Sequence, residues 1–524
     1  MSKLTVFLCA VWALSLLFGE MISFWVPSIS TCSWPQLPNM INEERNLGVK
    51  VAVVADPQLM DRTSVKLAPK SLVLEILQFF TDLYMRRSFI GSIMPLKPDA
   101  IVFMGDYFDG GHLLSDEEWQ QSLSRFKHIF DLNRRGSSDI PVYYLPGNHD
   151  IGYAGHYSHN TKVISRYEKG FGARNHKFTI GNVEFIAIDS QTLDGRRNGN
   201  LTSSSWNFIK NISSGYLLSP RVLLTHIPLY RPDWTYCGLE RSSPIINQRI
   251  SFGFNNEGVT YQNYLTKETT SLLLELIRPV VVFSGHDHDQ CIVTHLSQHR
   301  PTTEHTVGTI SWQQGNLYPS FMLMSTTNVG VSNTTKPEDA VSTQLCYLPM
   351  QTHIYLWYLS LFVFTVLALL LWPTNGLVFW HHCIPLLGSI KRTISSLTLK
   401  DVYKEKDEDE ICEYEMIWDA EGSMQYIRKA VKKSVSAPSD DCGLVGRGSA
   451  VVRLTAKKHV SQEGGGSFDV EINDDSRILL PKSNRFKTKT VIRRLVWTFR
   501  SLIIIATVNV PLYMMLLFKD WIDK

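Results

Sequence analysis

Several things are missing from this sequence, and each absence narrows what the chain can be. There is no excess of charge: 52 Lys and Arg face 49 Asp and Glu, a formal net charge of +3, so nothing points to nucleic acid. No small-x-small cleavage site follows the apolar run Leu4–Trp25, which argues for a retained anchor rather than a removed signal peptide. No second Cys/His pair matches Cys291-x-x-x-His295, so a structural role is expected there rather than a zinc site. No di-lysine retrieval signal closes the chain at Lys519–Lys524. At 524 residues, finally, the chain is too long for one soluble domain.

What is present begins with three apolar runs. Residues 4–25, with Glu20 as the one charged interruption, residues 354–372 and residues 502–518 each approach the length needed to cross a hydrocarbon core of roughly 30 Å. Pro511 and Arg500 suit a shorter or re-entrant third segment. Basic residues crowd the segment between the second and third runs, among them Lys432, Lys433, Lys457, Lys458, Arg493 and Arg494, which marks residues 381–495 as cytoplasmic. No sustained periodicity appears there, and most of it reads as disordered. The segment from Pro27 to His353 is then lumenal, and the N-x-S/T sequons at Asn200, Asn211 and Asn333 all fall inside it. Cys32, Cys237, Cys291 and Cys346 also lie there; four cysteines allow three full pairings, and the sequence does not choose among them.

Within residues 49–325 short apolar runs alternate with helical patterns at Leu72–Arg87 and Asp116–Asn133, the grammar of an α/β layered domain. The runs Val49–Ala55, Ala100–Gly105, Val142–Pro146, Val183–Ile188, Arg221–Thr225 and Val280–Gly285 each deliver an Asp, Asn or His at or just past the end. Ligands bind beyond the carboxyl ends of the strands in such sheets. A two-metal hydrolytic site needs a carboxylate shared by both ions, with imidazoles and oxygen donors around it. Asp56, Asp106, Asn148, His149, His226, His286 and His288 supply that set, and glycines precede three of the motifs.

The ordered series Asp56-Pro-Gln58, Gly105-Asp-Tyr-Phe-Asp109-Gly, Gly147-Asn-His-Asp150, His226 and Gly285-His-Asp-His288 resembles the metallophosphoesterase (calcineurin-like) superfamily over Val49–Phe321. The resemblance implies a β-sandwich/α fold flanked by transmembrane helices and two divalent ions, Mn²⁺ being favoured by an oxygen-rich shell. It implies that Asp56 and His288 hold one ion, that Asn148, His226 and His286 hold the other, and that Asp106 bridges them. His149 is then the catalytic residue at the leaving oxygen, with Asp109 and Asp150 orienting ligands. One position departs from the pattern: the usual Asp-x-His has Gln58 in place of the histidine, and its amide oxygen can still coordinate.

Two further absences bear on substrate. Gly110 and Pro146 stand where protein phosphatases of the superfamily carry phosphate-clamping arginines, and Asp109 stands where purple acid phosphatases carry tyrosine. The segments His226-Ile-Pro-Leu-Tyr-Arg231, Tyr261-Gln262, Val307–Trp312 and Pro319–Phe321 are similar to the phosphodiesterases that remove ethanolamine phosphate from glycosylphosphatidylinositol (GPI) anchors. This implies a multi-pass protein of the endoplasmic reticulum or Golgi membrane that acts on the glycan of GPI-anchored proteins beside membrane lipid. Arg231, Trp234, Tyr236 and Trp312 could line the glycan site, with core or surface packing the equal alternative for each. The competing readings are a lumenal nucleotide or sugar-nucleotide hydrolase and a non-catalytic trafficking adaptor.

Overall fold

The computed structural model describes residues 2–38, 48–65, 71–132, 140–157, 161–196, 199–215, 217–253, 258–328, 336–372, 413–418, 424–429 and 483–522. In chain order these form α1 (Lys3–Thr31), β1 (Val49–Val54), α2 (Leu72–Arg87), β2 (Ala100–Phe103), α3 (Asp116–Ile129), β3 (Val142–Tyr144) and α4 (Thr161–Phe171). They continue as β4 (His176–Ile180), β5 (Val183–Ile188), α5 (Asn200–Ser213), β6 (Arg221–Thr225), β7 (Ile250–Phe252), β8 (Val259–Gln262), α6 (Lys267–Ile277) and β9 (Val281–Ser284). After these come β10 (Cys291–Leu296), β11 (Pro301–Thr306), β12 (Ser320–Thr326), β13 (Val341–Tyr347), α7 (Gln351–Leu371), β14 (Glu413–Trp418), β15 (Met424–Lys429) and α8 (Ser483–Trp521). The chain divides into two units, residues 1–370 with 493–524 and residues 371–492.

In the first unit two sheets, ordered β13-β12-β1-β2-β3 and β10-β11-β9-β6-β5-β4, lie face to face. Alternation along each strand sends successive side chains to opposite layers. Val51 and Val53 of β1 meet Phe185, Val222 and Phe283 between the sheets, while Ala52 and Val54 pack outward against Tyr84 and Met85 of α2 and Phe126 of α3. Ile186, Leu223 and Val282 face the other way, onto Ile209 of α5 and Leu273 of α6. The result is four layers, α/β/β/α. Each fully buried Val, Leu or Phe contributes about 1.5–3 kcal/mol, which is why the branched runs settle inside. Local signals agree with the layers: Ser71 caps α2 by accepting from the Leu74 N–H, and Ser115 and Glu118 form a reciprocal cap on α3.

Parallel register brings the strand ends level. Val54 pairs with Phe103 and Phe103 with Tyr144 in one sheet; Ile188 pairs with Thr225 and Leu224 with Phe283 in the other. The carboxyl ends of β1, β2, β3, β6 and β9 therefore open on one rim.

Three helices flank this domain and are long and apolar enough to cross a membrane: Lys3–Thr31, Gln351–Leu371 and Val491–Trp521. They touch one another through Leu8, Leu369 and Ile505, and the Trp12 indole N–H donates to Thr365 Oγ1 at 3.0 Å. The helix α8 runs unbroken through Pro511, in keeping with the reading of residues 502–518 as a third span and against the shorter or re-entrant alternative. Glu20, the charge inside the first run, is buried against the Arg87 guanidinium and accepts from the Tyr358 hydroxyl at 2.9 Å. Arg87 also pairs with Asp520 at 3.1 Å and donates to the Leu516 carbonyl at 2.8 Å, so one α2 side chain ties into α1 and α8.

The open cysteine question is resolved: Cys32 bonds Cys346, and Cys237 bonds Cys291. In the second unit β14 and β15 form an antiparallel pair within the stretch read as mostly disordered. Tyr414, Met416 and Trp418 alternating with Glu413 and Glu415 are the period-two signal that the reading passed over. The rest of that stretch, and the sequon Asn333, lie outside the described residues.

Candidate metal centre

The rim built by the level strand ends gathers the predicted donors into two clusters that share one carboxylate. Asp106, His226 and His286 form one, Asp56, Asp106 and His288 the other, each with its donor atoms within 4.8 Å of one another. Backbone shape makes this possible. Asp56, Gln58, Asp106, His286 and His288 all sit at positive φ, between 38° and 68°, a conformation that strains a residue bearing a side chain and concentrates at functional sites. Gly147 shows why glycine precedes the third motif: a Cβ there would lie 1.9 Å from Asp106 Oδ1.

Hydrogen bonds behind the donors fix which atoms face the cluster. The His226 Nδ1–H donates to the Met104 carbonyl at 2.8 Å, leaving Nε2 turned inward, 3.2 Å from Asp106 Oδ2 and 3.1 Å from Asn148 Oδ1. The His286 Nε2–H donates to the Gln262 carbonyl at 3.0 Å, which leaves Nδ1 free to coordinate. Asp150 accepts from the N–H groups of Asp106, Tyr107 and Gly147 at 2.8–2.9 Å and so holds the second and third motifs together. Asp56 accepts the His286 N–H at 3.0 Å.

Do these residues fit a cation? Neighbouring ligands at bonds of about 2.1 Å in octahedral geometry lie roughly 3 Å apart, the spacing that His226 Nε2 keeps from its two oxygen neighbours. Charge gives a second test. Burial, reinforced by the Asp106 charge, pushes Asp56 up to about 8 against the pull of His226. Burial would raise Asp106 too, but His226 and His149 outweigh it and hold this carboxyl well below its ordinary range. Burial opposes protonation of His226, yet Asp106 and Asp56 lift it to about 9. Burial instead holds His286 down at about 3 and His288 at about 4, both in the neutral form that ligates metal. Two dry carboxylates with no Lys or Arg paired to them among the described residues, facing the neutral imidazoles of His286 and His288, are a site built for divalent cations. Donors are oxygen and nitrogen only, which suits Mn²⁺, Mg²⁺ or Zn²⁺ and not a thiolate-selecting metal.

Two further candidates border these clusters. Gln58 points its amide nitrogen at Asp106 Oδ2, 3.1 Å away, and so steadies the shared carboxylate. His149 is 34% exposed; its Nδ1–H donates to the Asp109 carbonyl, and Nε2 stands 4.0 Å from Asp106 Oδ2. Asp109 thus acts through its main chain, its carboxylate lying 3.8 Å from the same ring. Although burial opposes it, Asp106 and Asp109 keep His149 above its ordinary pKa.

Other open readings divide. Arg231 is only 1% exposed, its guanidinium 4.2 Å from the Tyr264 ring centroid and 3.6 Å from Asp287, so it is a wall of the fold rather than a glycan contact. Trp312 packs against the outer core, whereas Trp234 and Tyr236 are exposed. Cys291 is spent in its disulfide and His295 pairs with Glu304 at 2.8 Å, which ends the zinc alternative. Sequence reasoning missed the Met104 and Gln262 carbonyls, for which no side-chain type gives a signal. It also missed Arg241, which grips Asp287 with two bonds of 2.8–2.9 Å between His286 and His288.

With this geometry in place, comparison with known proteins is direct. The calcineurin-like phosphoesterase family matches residues 49–290. Cell division control protein 1 of Saccharomyces cerevisiae is 31% identical over 330 residues, 59% of this chain and 63% of that protein. Metallophosphoesterase 1 of Pongo abelii is 28% identical over 70% of this chain and 89% of its own length, and the Drosophila melanogaster homolog 27% over 64% and 85%. The chain thus spans just under two thirds of the yeast relative. Among solved structures, a 5'-nucleotidase from Candida albicans aligns over 62% of this chain and 56% of its own at 10% identity, with a TM-score of 0.29. Residues 49–290 are a calcineurin-like metallophosphoesterase domain.

Proposed function

We propose that the chain is a metal-dependent phosphodiesterase that removes ethanolamine phosphate from a mannose of GPI anchors, in support of ER-to-Golgi transport of GPI-anchored proteins. The observation that carries the hydrolase reading is the pair of donor clusters sharing Asp106. When bound, two divalent ions, Mn²⁺ in this reading, supply a water nucleophile at neutral pH and neutralise charge that builds on the phosphoryl oxygens. The chain's residues do the rest. Asp56, Asp106, Asn148, His226, His286 and His288 hold the ions, and the Met104 and Gln262 carbonyls keep two of the imidazoles in ligating tautomers. His149, with Nδ1–H committed to the Asp109 carbonyl and a raised pKa, presents a protonated Nε2 to the leaving oxygen and ends as the neutral tautomer.

The choice of a diester rests on what the rim lacks. A phosphate monoester dianion calls for bidentate arginine. At Gly110 a Cβ would lie 2.2 Å from Thr63 Oγ1 and 3.0 Å from Asp61 Oδ1, so a side chain there would have to displace that pair. The three apolar helices support a domain held at a membrane, and the basic segment between α7 and α8 favours a lumenal metal rim in this reading. Asn200 and Asn211 are exposed on α5 and should carry glycans. Purified full-length chain, loaded with Mn²⁺, is to be given GPI glycan, UDP-sugars and a phosphopeptide. Release of ethanolamine phosphate from GPI is expected. Rapid UDP-sugar hydrolysis with untouched GPI would replace this reading with the nucleotide-sugar one, and a metal-free chain inert on all three would leave the adaptor.

A further inference from the structure

The helix α2 leaves an apolar face in the open. Leu72, Val73 and Ile76 are 70%, 55% and 46% exposed, and half-buried Phe79 and Phe80 continue the same stripe. On a helix of 3.6 residues per turn these five share one arc, while Leu74, Thr81 and Met85 on the opposite side are buried in the domain. Water-facing helices of folded domains do not carry such a stripe; a covered one does.

What covers it is indicated by where the stripe leads. The Phe79 ring lies 5.2 Å from Trp521 and 6.5 Å from Phe518, both on the third apolar helix. Arg87, eight residues further along α2 and so about 12 Å away, reaches Leu516 and Asp520 of that same helix. These contacts fall within about 8 Å of α8, so α2 crosses the end of the spanning helix instead of running beside it. The Lys519 ammonium is 5.7 Å from the Trp25 ring centroid at this level, the aromatic and basic pairing that marks a membrane–water boundary. A helix that crosses a spanning helix at that boundary, apolar on its outer face, has the features of one lying in the interface.

We propose that the Leu72–Val73–Ile76 face of α2 is inserted in the interfacial layer of the bilayer, and that it sets the height of the metal rim above the lipid. The link to the rim is short: Gln78 of α2 donates to the Met60 carbonyl at 3.0 Å, and Met60 follows Asp56 and Gln58 in the loop after β1. A bond to be cut in a lipid-linked molecule then lies at the height of the donors, while soluble phosphodiesters reach them without help from α2. This second part rests on the phosphodiesterase reading; the insertion itself does not.

The test separates the two. Full-length chain carrying a photoreactive phenylalanine analogue in place of Ile76 is irradiated in membranes and analysed by mass spectrometry. Adducts with lipid are expected; adducts with another polypeptide, or none, would overturn the insertion. The triple variant Leu72→Ser/Val73→Ser/Ile76→Ser, in nanodiscs, is then assayed on a water-soluble chromogenic phosphodiester and on bilayer-embedded GPI. Unchanged turnover of the first with a loss of about tenfold on the second is expected, from lost effective concentration. Equal rates on both substrates would overturn the height-setting role. If the unaltered chain hydrolyses neither, the phosphodiesterase reading fails while the lipid adducts still decide the insertion.

Discussion

Two groups of buried carboxylates in this molecule are treated in opposite ways. At the junction with the membrane helices, Glu20 meets Arg87 from within the chain, and Arg87 meets Asp520 as well. The same is true of Asp189 with Arg174 and of Asp287 with Arg241. At the rim, Asp56 and Asp106 are as deeply buried, yet their charged neighbours are histidines, and no Lys or Arg pairs with either among the described residues. Removing a carboxylate from water without a counter-charge is costly. An acid with a built-in cation, or one held by several N–H donors as Asp150 is, belongs to the fold; two acids that face imidazoles across one shared cluster are a place for an ion. That contrast distinguishes site from scaffold more sharply than burial or residue type.

The strongest way to break the contrast is Asp106→Ala. Sharing of this carboxylate by both clusters means that both ions should be lost and turnover should fall by about 10³-fold or more. Two ions per chain retained in elemental analysis would show that the donors are wrongly grouped. Chelation should lower the melting temperature of the unaltered protein, since ions bound only to the folded state stabilise it, and should do nothing to the variant.

His149→Ala comes next. Its ring is held by the Asp109 carbonyl and its other nitrogen faces the opening, so both ions should stay while turnover falls by about 10²–10⁴-fold. Loss should be smaller for a substrate whose leaving group needs no proton, such as a nitrophenyl diester. Equal loss on both kinds of leaving group would remove His149 from the leaving oxygen.

The scaffold side of the comparison is tested by Arg87→Met. Glu20 would then be buried without a cation, a change that destabilises by about 3–5 kcal/mol, while metal content per folded chain stays the same. Adding Glu20→Gln should restore much of the loss. A variant that melts like the unaltered protein would mean that the junction contributes little.

How much of this could be read beforehand follows from the same physics. The strand ends were legible because branched runs stop at glycine-flanked Asp, Asn and His, and the level register then places those residues on one rim. The layered α/β fold was legible from the alternation of such runs with helical patterns. Glu20 was visible as an oddity in an apolar run, but its partner lies 67 positions away on α2, and no local pattern encodes that pairing. Disulfide partners were hidden for the same reason. The carbonyls that fix His226 and His286 were invisible in principle, since every residue carries one. Arg231 was open to both a glycan contact and packing because sequence shows its charge and not its neighbours; stacking on Tyr264 and a bond to Thr306 Oγ1 at 3.1 Å absorb it into the interior.

The smallest and most discriminating change is Gln58→His. As placed, the amide donates to the shared carboxylate at 3.1 Å and is held there by a backbone at φ 38°, with the Gln58 N–H donating to the Asp106 carbonyl at 2.8 Å. A neutral donor at this point withdraws some negative charge from Asp106 without giving the ion a nitrogen ligand. Histidine would offer the usual imidazole to the ion beside Asp56, and a nitrogen in place of oxygen favours Zn²⁺ over Mn²⁺ and Mg²⁺. Activity should survive, because every other donor is unchanged, and the metal preference should shift toward Zn²⁺ by a factor of about 10. Titration of the metal-free protein with each ion, read by intrinsic fluorescence as well as by turnover, measures this directly. An unchanged order of affinities would show that position 58 acts only on the Asp106 carboxylate and never reaches the ion. It would also sharpen the contrast drawn above, since even the departure from the family pattern would then be a partner for a buried acid.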